Sequence, residues 1–289
     1  MPNRPPDPTG LVARFRDERP LVAVELRPPR TGLSARESMD TWIDMNHTMR
    51  RLARYDSVQF LTDNAVGEAE EENLRHLVAN LGADASASRI VPFLTCKHAL
   101  DYCLMYADRA AAHGFPALTV LGGDRSVGPA RCVEFAYMLR QRIRARHAGL
   151  LLGGWANPNR EPEAQVEYLL DPEFTGEFYL TQIVSHHTLA PVERFLAEAA
   201  RQGVRVPGIF GVFLYRSPNP RTLEKLARFF PVPLEGVQRD FAAGLTPEDI
   251  AVQTIRALRG LGVTKVYVSN LGFAKPEARY RRLLERLGE

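Results

Sequence analysis

The chain alternates between short apolar segments and longer segments that have helical periodicity. Eight apolar or β-branched segments, spaced by about 30 residues through the seventh, predict β-strands, and the segments between them predict amphipathic helices. The strands are apolar almost throughout, which is typical of parallel strands covered on both faces. The predicted strands begin near eight positions: Leu21, Ser57, Arg89, Ala117, Leu150, Glu177, Arg205 and Thr264.

The number of these units favours a single closed barrel. Eight βα units in 289 residues fit one (β/α)8 TIM barrel of the α/β class better than two domains. A doubly wound open sheet is the alternative, weakened because no G-x-G-x-x-G follows the first strand. We expect a flexible N-terminal segment over residues 1–15 and the catalytic barrel over 16–289. The long interval before the eighth strand predicts two helices, Arg221–Phe230 and Pro247–Gly260, the second capped by Thr246.

The amino-acid composition is typical of a soluble globular protein and not of a nucleic-acid-binding or membrane protein. Apolar residues make up 45% and charged residues 25%, as in soluble globular proteins. The net charge of +3 gives no nucleic-acid signature, and no apolar segment approaches the roughly 20 residues of a membrane helix. Residues 1–10 do not resemble a secretory leader, so we expect a cytoplasmic protein without nucleic-acid or membrane partners. The three cysteines lack C-x-x-C spacing, which predicts free thiols, and the sequence leaves homo-oligomerisation open.

Candidate site residues follow from the barrel itself, because its chemistry lies where strands end and βα loops begin. Glu25 gives the strongest signal, since a carboxylate inside an apolar strand is costly to bury unless it is paired or has a task. A general acid and a structural ion pair with a neighbouring arginine explain it equally well. The residues at strand ends are Glu25, Asp63, Thr95, Asp124, Trp155, Asn157, Gln182, His186 and Tyr215.

Three of the other positions have competing interpretations. Asp124 follows two glycines and can accept hydrogen bonds from a flat heterocycle, or it can simply cap the next helix. Trp155 and Asn157 offer a stacking face and an amide, or they form a core-capping tryptophan followed by an Asn-Pro turn. The structural interpretation is favoured for each of the three when it is taken alone.

The adjacent residues His186 and His187 raise the question of a metal. Adjacent histidines on a loop rarely face one ion, and no companion H-x-H or cysteine spacing accompanies them. We therefore expect no metal site. Gln182 ends the sixth strand, where its amide can bind the edge of a heterocycle.

Five strand-end motifs, taken together, resemble methylenetetrahydrofolate reductases over about residues 21–270. They are Val24–Arg30, Pro92–Cys96, Gly123–Asp124, Thr181–Gln182 and Val206–Ile209. The resemblance implies that Glu25 protonates the leaving amine as the five-membered ring of 5,10-methylenetetrahydrofolate opens. Hydride then reaches the resulting iminium and gives 5-methyltetrahydrofolate, while Asp124 and Gln182 hold the pterin.

The departures from this family concern its usual cofactor, FAD. Phe93 stands where the family has His, Gly122 stands where it has Arg, and residues 170–173 replace basic residues. A pyrophosphate needs cations or helix N-termini, so these departures argue against bound FAD. We expect NADH or NADPH to donate hydride directly to the folate.

The remaining site predictions concern the two ligands. We expect the folate to contact Asn157 and Tyr215 as well. We expect the nicotinamide cofactor to contact Thr95, Trp155, Arg125 and His186. The alternatives are an FAD-dependent reductase, a tetrahydrofolate-dependent methyl-transfer or demethylase module, and a folate-binding protein without catalysis. Glu25 argues against the last, because binding alone does not require an acid.

Overall fold

The computed structural model describes residues 10–63, 70–80, 87–125, 128–272 and 275–289. Eight parallel strands form a closed barrel in the order β1 to β8, which confirms the (β/α)8 prediction. The strands are β1 Leu21–Leu26, β2 Gln59–Leu61, β3 Ile90–Thr95, β4 Ala117–Leu121, β5 Leu151–Ala156, β6 Phe178–Val184, β7 Gly208–Phe213 and β8 Lys265–Ser269.

Helices connect the strands, and the connection between β7 and β8 contains three of them. The helices are α1 Leu11–Arg16, α2 Ala35–Leu52, α3 Asn73–Asn80, α4 Leu100–Ala112, α5 Ala136–Arg146, α6 Pro162–Leu170, α7 Ala190–Gln202, α8 Pro220–Ala227, α9 Leu234–Ala242, α10 Pro247–Gly260 and α11 Pro276–Leu287. Among the described residues, no helix is both long enough and apolar enough to cross a membrane.

The strand predictions agree closely with the observed starts. The largest difference is at β7, which begins at Gly208 because Pro207 has no N–H to donate to a strand ladder. Helix α10 has the predicted bounds, and Thr246 forms a capping box with Asp249. Helix α9 is missing from the prediction, because Pro233 and Gly236 interrupt its periodicity.

The end of the predicted N-terminal segment is packed. Residues 1–9 lie outside the described residues, and their flexibility stays a prediction. Helix α1 differs from that expectation, since Leu11, Val12 and Phe15 are buried. The Phe15 ring centroid lies 5.1 Å from that of Phe178, at the start of β6.

The chain divides into two compact units. The first comprises Met1–Asp17, Glu25–Gly154 and Pro172–Tyr179, and the second comprises Glu18–Val24, Trp155–Asp171 and Leu180–Glu289. In the first unit, β4 pairs with β3 and β5, and Thr119 lies opposite both Phe93 and Gly153. In the second, β8 pairs with β1 and β7, and Val266 lies opposite both Val22 and Phe210.

A tyrosine holds the strand segment that carries Gln182 in the second unit. The Tyr267 hydroxyl donates to the Thr181 carbonyl at 2.7 Å, and the Thr181 hydroxyl oxygen accepts from the Gly211 N–H at 3.0 Å. Gly211 is required for this arrangement, because a Cβ there would lie 2.5 Å from the Tyr267 hydroxyl oxygen. The close packing of β7 therefore fixes the end of β6.

We predict that Gly211→Ala lowers the free energy of unfolding by about 1–3 kcal/mol, because the added methyl overpacks the interior. The control is Gly260→Ala at the end of α10, where a Cβ meets nothing within 4 Å. Alanine also has the higher helix propensity, so this variant should be at least as stable as the parent. Urea denaturation measures both, and equal stability of the two variants would contradict the packing argument.

Candidate functional site

Glu25 lies at the next-to-last position of β1 and is half-buried between buried neighbours. The adjacent Arg27 forms an ion pair through Nε with Glu70 Oε1 at 3.0 Å. The Glu70 side chain is only 1% exposed, and Thr62 Oγ1 donates to its other oxygen at 3.0 Å. Arg27 therefore neutralises a buried carboxylate that sequence analysis missed.

Asp63, Thr95 and His98 form a hydrogen-bonded cluster where β2 and β3 end. The Thr95 N–H and hydroxyl donate to Asp63 Oδ2 at 2.7 and 3.0 Å. His98 Nε2 lies 2.8 Å from both oxygens of Asp63. The predicted residue Thr95 thus holds Asp63, which in turn orients His98. Sequence analysis missed His98 because it lies three residues beyond the end of β3.

Burial and the neighbouring Asp63 shift the pKa of His98 in opposite directions. Burial disfavours the imidazolium, but the hydrogen bond and the charge of Asp63 together outweigh burial and raise the pKa of His98. A raised folded-state pKa stabilises the fold fully below the unfolded pKa of about 6.5, and this stabilisation is lost as the pH rises through the folded value.

We predict that Asp63→Asn lowers the pKa of His98, which NMR titration of the ring protons measures. The loss of stability in this variant should be largest near pH 6 and should shrink as the pH rises above about 6.5. A part of the loss should remain at every pH, because Thr95 also loses its carboxylate acceptor. A stability difference that grows between pH 6 and 8 would contradict the assignment.

Two cations pack against the glycines after β4. The guanidinium carbon of Arg131 lies 2.6 Å from the position that a Cβ of Gly122 would take, and Arg131 donates to the Gly123 carbonyl. The Lys97 side chain covers Gly123, and its Nζ donates to the Pro129 carbonyl at 2.9 Å. Gly122 has no side chain that could donate a hydrogen bond, but the Arg131 guanidinium lies against it. The departure at Gly122 therefore does not leave this loop without a cation.

Asp124 and Arg125 are exposed in the same loop. The Arg125 guanidinium lies 5.6 Å from the centroid of the Phe135 ring. Burial, together with the charge of Arg125, lowers the pKa of Arg131. The loop therefore brings the charges of Arg125 and Arg131 close enough to influence each other.

The end of β5 supports the turn interpretation of Asn157. Its side-chain oxygen accepts from the Asn159 N–H at 3.1 Å, as in an Asx turn, and its own N–H donates to Gln165 Oε1 at 2.8 Å. The Asn159 amide also donates to the Ile183 carbonyl at 3.3 Å. Trp155 is half-buried in the same strand.

Gln182 uses both ends of its amide within the second unit. Oε1 accepts from the Ile183 N–H at 2.9 Å, and Nε2 donates to the Phe229 carbonyl at 3.3 Å. A ligand that binds this amide must replace at least one of these bonds. The longer bond to Phe229 is the weaker of the two and is the one we expect to exchange.

Tyr215 follows β7 and is buried, and its hydroxyl has no hydrogen-bond partner among the described residues. Its ring centroid lies 5.1 Å from Phe213, which lies 5.0 Å from Phe230. Burial raises the pKa of Tyr215, so the group stays a neutral donor. A buried hydroxyl without a partner calls for an explanation, and a bound ligand or water supplies one.

His186 and His187 converge on one carboxylate. Their ring centroids are 3.9 Å apart, and their Nε2 atoms lie 3.4 and 2.8 Å from Asp240 Oδ2. His186 Nδ1 lies 2.8 Å from Thr254 Oγ1. Burial and the neighbouring His187 lower the pKa of His186. These adjacent histidines therefore face a common group, which sequence analysis did not expect, because α9 places Asp240 beside both rings.

An arginine pair follows β7 and β8. The Nη1 atoms of Arg216 and Arg279 lie 2.6 and 2.9 Å from the position that a Cβ of Gly272 would take, and Arg279 donates to the Leu271 carbonyl at 2.8 Å. Burial and the charge of Arg279 lower the pKa of Arg216. Sequence analysis missed this pair because α11 brings in Arg279. The loops after strands seven and eight often bind phosphate in TIM barrels.

Comparisons with known proteins support the fold. No sequence profile of a protein family matches the chain, and no curated protein matches it. A protein from Clostridium thermocellum that binds two copies of 5-methyl-5,6,7,8-tetrahydrofolic acid has a TM-score of 0.67 at 17% identity, over 95% of this chain and 97% of that one. Tryptophan synthase from M. tuberculosis has a TM-score of 0.53 at 12% identity, over 96% and 98%. A 2,3-dimethylmalate lyase has a TM-score of 0.52 at 9% identity, over 97% and 86%.

Proposed function

We propose that this protein reduces 5,10-methylenetetrahydrofolate to 5-methyltetrahydrofolate with hydride taken directly from NADH or NADPH. One hydride and one proton are consumed for each folate reduced, and NAD(P)⁺ is released. Glu25 supplies the proton to the amine nitrogen as the C–N bond of the five-membered ring breaks. The hydride then forms the new C–H bond at the iminium carbon.

The observation that carries this proposal is the half-buried carboxylate of Glu25 at the carboxyl end of β1. This end of the strands carries the active site in TIM-barrel enzymes. A carboxylate in this position can serve as a general acid for a substrate bound over the ends of the strands.

The folate assignment has two supports. A protein that binds 5-methyltetrahydrofolate shares the fold over nearly the whole chain. The second unit contains the Gln182 amide, the buried Tyr215 hydroxyl and the neighbouring rings of Phe213 and Phe230. Such a combination of polar and aromatic groups suits a pterin. Asp124, at the end of β4, remains our candidate for the pterin N–H groups, and Asn157 remains a candidate contact.

The nicotinamide cofactor needs a cationic site for its diphosphate. We assign this site to Arg216 and Arg279, whose guanidinium groups meet at Gly272. Thr95, Trp155 and Arg125 remain proposed contacts of the same cofactor, whereas both ring nitrogens of His186 face protein groups, Thr254 and Asp240. Thr95 also holds Asp63, which in turn orients His98.

The absence of bound FAD is part of the proposal. Support comes from the loop after β4, where Arg131 and Lys97 fill the space over the two glycines and donate to backbone carbonyls. Phe93 is buried in β3, and its side chain cannot form a hydrogen bond. FAD, if bound, would accept hydride from the nicotinamide and pass it on. The residues named here bind and orient the substrates in either case.

The test is oxidation of NADH or NADPH by flavin-free protein in the presence of methylenetetrahydrofolate. We expect a colourless protein that turns over without added FAD and shows intersecting double-reciprocal lines. Parallel lines, a yellow protein or activity only after FAD is added would refute direct transfer. Binding of 5-methyltetrahydrofolate without any oxidation of NADH or NADPH would instead indicate a folate-binding or methyl-transfer protein.

We predict that Glu25→Gln lowers kcat by about 10²–10⁴-fold and leaves the fold intact, because the amide cannot supply the proton. Glu224→Gln on the exposed face of α8 is the control and should keep parental kcat. Steady-state kinetics at saturating folate measures both. Parental turnover in Glu25→Gln would remove Glu25 from the reaction.

We predict that Arg216→Gln raises KM for NADH or NADPH by about 10- to 100-fold with little change in KM for the folate, because a charge-assisted contact to phosphate is lost. Arg221→Gln on α8 is exposed and serves as the control. Equal increases in both KM values would place the arginine pair at the folate instead.

A further inference from the structure

We propose that His186, His187 and Asp240 bind a divalent transition-metal ion of the Zn²⁺ class. The histidines lie in the loop after β6, and Asp240 lies on α9, so all three belong to the second unit. Their ligand atoms all lie within 4.8 Å of one another. This proposal does not depend on the proposed reductase activity.

The distances in this cluster match those between the ligands of one ion. With metal–ligand bonds of about 2.0–2.1 Å, neighbouring ligand atoms lie about 3.3 Å apart in a tetrahedral site and about 2.9 Å apart in an octahedral one. The Nε2 atoms of His186 and His187 lie 3.4 and 2.8 Å from Asp240 Oδ2. Small rotations of the side chains therefore bring all three atoms onto one ion.

The hydrogen bonds of Thr254 determine which nitrogen of His186 is available. The Thr254 hydroxyl donates to the Ile250 carbonyl at 3.3 Å, so its oxygen accepts from the Nδ1–H of His186 at 2.8 Å. In the neutral ring, Nε2 then presents a lone pair toward Asp240. This Nε2 is buried without a hydrogen-bond partner among the described residues. The lone pair of His186 Nε2 and those of the Asp240 carboxylate repel each other unless a cation lies between them.

Helix α9 is shaped to receive these rings. Gly236 and Asp240 are four residues apart and share one face of α9. A Cβ at Gly236 would lie 2.6 Å from the His187 ring, so glycine is required for the ring to lie against the helix. Helix α9 therefore supplies both the carboxylate of Asp240 and, at Gly236, the space that the His187 ring occupies.

The set of donor atoms indicates the class of ion. Two imidazole nitrogens and one carboxylate oxygen are typical of catalytic zinc sites, in which a fourth position is left for water or another ligand. The same donors also occur in non-haem iron sites. Mg²⁺ and Ca²⁺ prefer oxygen ligands throughout, so they fit this cluster poorly.

The experiment uses full-length protein without a histidine tag, freed of metal by chelator dialysis. Zn²⁺ is titrated in competition with a chromophoric chelator. We expect one equivalent to bind the parent, and Asp240→Asn or His186→Gln to weaken binding by more than about 100-fold. His147→Gln is the matched control, because His147 pairs with Asp108 at 2.6 Å outside the cluster. It should bind Zn²⁺ like the parent.

A second variant tests the orientation of His186. Thr254→Val keeps the shape of the side chain but removes the hydroxyl, and it should weaken binding by about 10- to 100-fold, whereas Thr254→Ser should restore it. Zinc-edge X-ray absorption of the parent needs no variant and should show two imidazoles. Binding below one equivalent, binding kept in Asp240→Asn, equal loss in His147→Gln or a spectrum without imidazole would each overturn the proposal.

Discussion

The cost of burying a polar group without a partner governs the candidate site. The carboxyl ends of the strands carry side chains that are too polar for an apolar core, so each must find a partner. Asp63 is bound by Thr95 and His98, and the Gln182 amide is bound by two backbone groups. Buried polar groups that have no partner among the described residues are therefore candidate contacts for a ligand.

Two such groups stand in the second unit. The Tyr215 hydroxyl is buried next to an aromatic cluster, and we assign it to the folate. His186 Nε2 is buried beside a carboxylate, and we assign it to a metal ion. The same principle leads to different ligands, because an aromatic neighbour suits a flat heterocycle and a carboxylate neighbour suits a cation.

Much of the fold is predictable from the sequence, because apolar strands and amphipathic helices follow periodic patterns. The strand starts and the cap at Thr246 could be predicted, since each depends on residues close in sequence. Asp240, Arg131 and Arg279 could not be, because their roles depend on residues that only the fold brings near. Thr95 and His186 are predicted contacts, but their partners Asp63 and Thr254 could not be predicted, because each lies more than 30 residues away along the chain.

The most direct test of the account follows a labelled hydride. NADH or NADPH that carries deuterium at the transferred position is mixed with the protein and methylenetetrahydrofolate in ordinary water, and the product is analysed by mass spectrometry. Direct transfer predicts one deuterium in the methyl group of 5-methyltetrahydrofolate in nearly every turnover. Product without deuterium would show that the hydride passes through a carrier that exchanges with water, such as reduced flavin, and would contradict the account.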